Sequence, residues 1–191
     1  MSVLNVPLKI SLHKNQEFVH DSKALVIVVK AGKRFGKSEL AVYKAVKWAG
    51  EMPGSTIWYI APTFGQAESI AWNRFKDLIP PQFIKRMVEN KLTITLINDS
   101  DIILKGAENE TSLRGPHLDG VVFDEAAYMR KYIWNNIIRG QLLGINGEKP
   151  GKALFISSPI NPLETIGKNI KDWYTDFYND ALRKSVSGNK D

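Results

Sequence analysis

Eight consecutive residues, Ala31-Gly32-Lys33-Arg34-Phe35-Gly36-Lys37-Ser38, bring together small residues, cations and a hydroxyl. They follow an apolar, β-branched run, Ala24–Ala31, that reads as a buried strand. They open a stretch of helical periodicity, Lys37–Ala49, in which Val42, Ala45, Val46 and Ala49 share one face. The chemistry this arrangement suits is the binding of a polyphosphate. Gly32 and Gly36 let the backbone curl so that successive N–H groups point inward. The new helix adds its positive N-terminal end. Lys37 can reach β- and γ-phosphate oxygens, and Ser38 can offer its hydroxyl to Mg²⁺. This is the P-loop pattern, with Ala31 where the first glycine stands. The plain alternative is a Gly-rich basic turn.

A second apolar run, Val121-Val122-Phe123, ends in Asp124-Glu125. At the C-terminal edge of a parallel sheet these carboxylates fall beside the glycine loop, where such folds bind ligands. Asp124 is then the candidate for the Mg²⁺ shell. Glu125 is the candidate that orients and deprotonates an attacking water, a general-base role worth roughly 10²–10⁴ in rate. Alone, such a strand end is usually just solvated. Downstream of a P-loop it points to hydrolysis of ATP rather than to phosphoryl transfer onto an acceptor hydroxyl. A further strand, Thr56–Ala61, lies between the two motifs, as in the ATPases with a catalytic glutamate. Beyond strand Ala153–Phe155, Ile156-Ser157-Ser158-Pro159 supplies hydroxyls that could sense the γ-phosphate, or forms a simple Ser-Pro turn.

The elements that must position these residues alternate along the chain. Gln66–Ile79 reads as a helix ended by Pro80-Pro81. Leu92–Ile97 and Asp101–Lys105 flank Asn98-Asp99, a hairpin signal. Lys131–Leu143 is expected to be helical, with Tyr132, Ile133, Ile137 and Leu142 on its apolar side. Ile166–Leu182 is expected as a final helix, with Ile170, Trp173, Phe177 and Ala181 inward and Asp172, Asp176 and Asp180 on the wet face. Strands alternating with helices imply an α/β fold, with a mainly parallel central sheet and helices on both faces. One domain is expected over 1–183, followed by a flexible tail or the start of a linker over 184–191.

Composition narrows the chemistry. The chain has 191 residues, no cysteine and three scattered histidines. Disulfides, thiol nucleophiles and Cys-zinc sites are thereby excluded. Apolar and charged fractions of 43% and 24% are ordinary for a globular protein. The N-terminus lacks the layout of a signal peptide. The longest purely apolar run, Ala24–Val29, is far short of the ~20 residues a membrane helix needs. The net charge of +6 favours polyanionic partners such as nucleic acid.

Taken together, the motifs resemble those of the ATPase domain of the large terminase subunit of tailed bacteriophages, from about Gln16 to about Phe177. The most specific segment is Trp58-Tyr59-Ile60-Ala61-Pro62-Thr63-Phe64-Gly65-Gln66-Ala67, continuing to Ala71-Trp72. The glycine loop, Leu113-Arg114-Gly115, Asp124-Glu125-Ala126-Ala127 and Ile156-Ser157-Ser158-Pro159 complete it. The resemblance implies a P-loop NTPase of the catalytic-glutamate type. Its cofactors would be ATP and Mg²⁺. Its work would be the packaging of double-stranded DNA into a prohead, in the host cytoplasm during virion assembly.

Residue roles follow from the same resemblance. The nucleotide would lie on Gln16, Ala31, Gly32, Lys33, Arg34, Phe35, Gly36, Lys37 and Ser38, with Gln16 recognising adenine. The alternative for Gln16 is an exposed polar residue. Ser38 and Asp124 would hold the metal, and Glu125 and Lys37 would be catalytic. Lys33 stands where many relatives carry an arginine, and Arg34 is its possible substitute. Arg139 matches a position that acts in trans on the next subunit of a ring, or else is a solvated helix charge. Ser157 and Ser158 fall in the coupling motif. Implied partners are double-stranded DNA, the portal protein and the small terminase subunit. A homo-oligomeric ring is expected on the portal, and a monomer is allowed in solution. Family members usually continue into a nuclease domain, and no cutting activity is expected of this chain. Two other readings stay open: another P-loop nucleic-acid motor such as a helicase fragment, and a nucleotide-dependent assembly module.

Overall fold

The computed structural model describes residues 2–6, 11–115, 117–144, 149–160 and 173–186. Its strands are β1 (Val26–Lys30), β2 (Thr56–Ala61), β3 (Ile84–Val88), β4 (Thr93–Leu96), β5 (Asp101–Gly106), β6 (Gly120–Asp124) and β7 (Lys152–Ser157). They form one sheet in the order β1-β7-β6-β2-β5-β4-β3. The first five in that order run parallel. The expected hairpin around Asn98-Asp99 joins β4 to β5 antiparallel. Asn98 also ties this turn to the first long helix, donating to the carbonyls of Ala49 (2.8 Å) and Gly50 (3.3 Å).

Parallel strands need crossovers. Helices α2 (Lys37–Glu51), α3 (residues 64–78) and α4 (residues 133–141) lie between the strands, while α1 (Lys14–Asp21) precedes β1 and α5 (Trp173–Val186) follows β7. Period-two alternation along the strands sorts side chains to two cores. Ile57, Tyr59, Val122, Leu154 and Ile156 join α2 and α3 on one face. Trp58, Ile60, Val121, Phe123 and Phe155 join α4 and α5 on the other. Helices therefore cover both faces, as the alternation of elements predicts. Gly120 leaves room for Trp48 of α2 over the sheet: a Cβ there would meet Ile57 at 2.9 Å and Trp48 at 3.0 Å.

Several elements differ from expectation for identifiable reasons. The helix expected over Gln66–Ile79 is α3. It begins earlier, where Thr63 caps it by accepting from the Gln66 N–H at 3.1 Å. Its middle, Glu68–Trp72, is a π turn. A second π turn, Ile133–Ile138, makes up most of α4 and advances its phase. Ile133, Ile137 and Leu142 are buried as expected and Trp134 and Ile138 join them, while Tyr132, expected on the apolar side, is 43% exposed. Strand β3 was not expected, because Lys85 and Arg86 break its alternation; its exposed residues suit a sheet edge. Within α5, Asp176 and Asp180 are exposed as expected, and the helix includes Lys184 and Ser185, which were assigned to the tail. Asp172, and the expected start of that helix at Ile166, lie outside the described residues. Among the described residues no helix is long and apolar enough to cross a membrane.

Helix α1 was also not expected. Lys44 of α2, 2% exposed, seals its C-terminal end by donating to the carbonyls of Val19 (3.2 Å), His20 (2.5 Å) and Ser22 (3.1 Å). The ammonium of Lys47 lies 3.0 Å from His20 Nε2, so that nitrogen accepts and the ring is neutral. Burial first, then Lys47 and Lys44, draw the His20 pKa down from 6.5 to about 4. Between those values the unfolded chain binds a proton that the folded chain does not. His20 thus contributes stability that is full above pH 6.5 and is lost as pH falls toward 4. His20→Gln retains an acceptor without a titrating ring. We expect its melting temperature to fall less than that of the parent between those pH values, and equal slopes in a thermal melt series would exclude His20 as a contributor.

Candidate nucleotide site

The C-terminal ends of β1, β7 and β6 lie side by side, so the segments that follow them meet. The loop after β1 leads into α2 through Arg34 (φ 66°) and Gly36 (φ 78°), both left-handed. Glycine adopts this backbone freely; arginine does so at a steric cost. A Cβ on Gly36 would also lie 2.5 Å from the Gln16 amide nitrogen. That amide nitrogen donates to the carbonyls of Phe35 (3.3 Å) and Gly36 (3.2 Å), while the Gln16 oxygen accepts from the His13 N–H at 3.0 Å. Gln16 is 6% exposed, which overturns its alternative as an exposed polar residue. It braces the loop through the loop's own carbonyls.

A cleft of about 550 Å³ opens at this edge, lined by Lys33, Arg34, Lys37, Glu125, Tyr128, Ser158 and Pro159. Sequence reasoning named Lys33, Arg34, Lys37, Glu125 and Ser158 among these. It missed Tyr128, which directly follows Asp124-Glu125-Ala126-Ala127, and gave no part to Pro159, which closes the Ile156-Ser157-Ser158-Pro159 motif. Lys37 is 8% exposed, and its ammonium donates to the Gly32 carbonyl at 3.0 Å. Among the described residues it has no carboxylate in ion-pair range. A buried cation without a counter-charge is costly, and an anion in the cleft would relieve it. This is the observation by which the site fits a polyphosphate.

Asp124, at the end of β6, is 1% exposed. Its Oδ2 accepts from the Tyr59 hydroxyl at 2.5 Å, and its Oδ1 accepts from the Glu125 N–H at 3.0 Å. Burial, and then the charge of Asp124, raise the Tyr59 pKa well above the ordinary phenol value, which keeps this hydroxyl a donor. Among the described residues no group of three His, Asp or Glu converges as a metal site. A divalent ion held by Asp124 and Ser38 would therefore need phosphate and water oxygens to complete its shell, as Mg²⁺ commonly does.

Glu125 takes a left-handed backbone, φ 54°, immediately after β6. Such strain in a non-glycine residue persists where the surroundings over-determine it. Here the end of β7 does so. The Ser157 hydroxyl donates to Glu125 Oε2 at 3.2 Å, and the Ser158 N–H faces the same oxygen at 3.5 Å. Ser157 also accepts the Ala127 N–H at 3.3 Å, and its carbonyl accepts the Ala31 N–H at 3.2 Å. The two expected coupling serines thus join the glycine loop to the carboxylate across the cleft. Arg139 is exposed on α4 and is not among the residues lining this cleft.

A parallel sheet carrying a glycine loop on one strand and Asp-Glu on another defines a P-loop NTPase fold. Known proteins place it further. A family model for the N-terminal part of the terminase large subunit, T4-like-virus type, matches residues 28–187, and the chain belongs to that family. It is 30% identical over 167 residues to the terminase large subunit of Thermus phage G20c, covering 77% of this chain and 33% of that protein. The chain therefore spans about a third of the length of that relative. Among solved structures, the large terminase ATPase domain of Thermus phage P74-26 superposes with a TM-score of 0.74 at 28% identity. That match covers 89% of this chain and 70% of that one. A large terminase from a thermophilic bacteriophage, solved in complex with ATP-γ-S, shares the fold, with a TM-score of 0.64 at 18% identity, over 84% of this chain and 43% of that one.

Proposed function

We propose that this chain is an Mg²⁺-dependent ATPase that drives double-stranded DNA into a prohead. The observation that carries this reading is Lys37, a buried cation without a carboxylate partner, in the same cleft as a Glu125 held by the end of β7. The backbone N–H groups of Gly32 to Ser38 wrap the phosphates, and Lys37 leaves the Gly32 carbonyl for a phosphate oxygen. Ser38 and Asp124 would hold Mg²⁺, which when bound would neutralise phosphate charge. Glu125 orients a water and takes its proton as the water oxygen bonds to the terminal phosphorus. The bond from that phosphorus to the bridging oxygen breaks, giving ADP and inorganic phosphate. Lys33 and Arg34, both lining the cleft, stabilise the charge that develops. Gln16 acts on the nucleotide through the glycine loop that its amide braces. Ser157 and Ser158 register loss of the terminal phosphate through their contact with Glu125 and pass it to β7.

The wider role follows the family. Lysine and arginine contacts to DNA phosphates would be independent of sequence and steeply salt-dependent. The portal protein and the small terminase subunit are the proposed partners, and the host cytoplasm the proposed place. Cutting of DNA is not among the activities we propose for these residues. Arg139, outside its own cleft, acts in a neighbouring subunit's cleft within a ring. Turnover per subunit should then rise with protein concentration, and Arg139→Ala should abolish that rise while leaving the dilute rate alone. An in-trans arginine is worth about 10³–10⁵ in turnover where it completes the site. An equal loss in dilute monomer would refute the trans role.

A further inference from the structure

We infer that Tyr59 is a positioning residue for the metal-binding carboxylate, an inference that rests on the proposed role of Asp124. Tyr59 lies on β2 directly opposite Val122 of β6, so Asp124 is its diagonal neighbour on the same face. That face is the one covered by α2, whose first turn carries Ser38. Tyr59 is fully buried, and its ring meets Phe75 of α3 edge-on at 5.7 Å between centroids. Ring packing therefore fixes where the hydroxyl ends.

The hydroxyl ends on Asp124 Oδ2, while the Glu125 N–H takes Oδ1. A free carboxylate has two equivalent oxygens and rotates about its last bond. With one donor on each oxygen, the plane of this carboxylate is set, and the lone pairs left over have fixed directions. The Glu125 N–H belongs to the strained residue after β6, so one donor comes from the hydrolytic loop and the other from a neighbouring strand. Groups that orient a metal ligand from behind commonly matter about 10–100-fold for metal affinity.

Tyr59→Phe removes the hydroxyl and keeps the ring. The experiment measures ATP-γ-S affinity by calorimetry in EDTA and across an Mg²⁺ titration, for the parent, Tyr59→Phe, Asp124→Asn and the double variant, each checked by thermal melting. We expect affinity in EDTA to be unchanged in Tyr59→Phe, with the Mg²⁺ midpoint raised roughly 10–100-fold. In the Asp124→Asn background the same substitution should add no further shift. An unchanged Mg²⁺ midpoint in a folded Tyr59→Phe overturns the inference. So does parallel loss of affinity with and without Mg²⁺, which marks a merely structural tyrosine. If the parent binds no ATP-γ-S under any condition, the nucleotide reading fails, and this inference fails with it.

Discussion

Glu125→Gln should bind nucleotide as the parent does and hydrolyse it about 10²–10⁴ times more slowly. The substitution keeps the size of the side chain and its ability to accept from Ser157, so the cleft retains its shape. What it removes is the basic oxygen. Glutamine cannot take a proton from water, and the reaction loses its acceptor at the moment the phosphorus–oxygen bond forms. Equilibrium binding of ATP-γ-S measured beside phosphate release separates these effects. Near-parental turnover in this variant would refute Glu125 as the base. Parental affinity combined with silent turnover in the parent itself would favour an assembly module that grips nucleotide without consuming it.

Lys37→Ala should act on binding. The Lys37 residue is 8% exposed, and among the described hydrogen bonds its ammonium is held only by the Gly32 carbonyl. Truncating one side of a buried charge pair costs about 2–5 kcal/mol, so ATP-γ-S affinity should fall on the order of thirtyfold or more. Stability without nucleotide should move the other way or stay level, because the variant no longer buries an uncompensated cation. The melting temperature without ligand therefore distinguishes a lost phosphate contact from a misfolded loop. Parental affinity in a folded Lys37→Ala would show that the loop cradles something other than phosphate.

The site was more legible in the sequence than the helices around it. Gly32, Gly36, Lys37 and the carboxylates Asp124-Glu125 are read from residue type at fixed spacing, and parallel pairing of β1, β7 and β6 brings their loops together. Tyr59 and Tyr128 were not assigned roles, because each acts on a residue or cleft that only pairing and packing bring near. Within α4, Ile133, Ile137 and Leu142 are buried as the periodicity predicts and only Tyr132 is exposed, while the π turns in α3 and α4 have no signature in a 3.6-residue pattern. Helix α1 is short and polar, and its hold on the chain comes from Lys44, far along the sequence. The family resemblance implies that Gln16 meets the nucleotide but carries no sign that its amide is spent on the carbonyls of Phe35 and Gly36.

The central claim is that hydrolysis in this cleft is coupled to DNA. The most direct measurement is steady-state phosphate release with increasing double-stranded DNA at low and high salt, using Glu125→Gln as the blank. The account predicts turnover that rises with DNA, weakens as salt is raised and vanishes in the blank. Release that is indifferent to DNA at low salt, or equal in parent and Glu125→Gln, would contradict it.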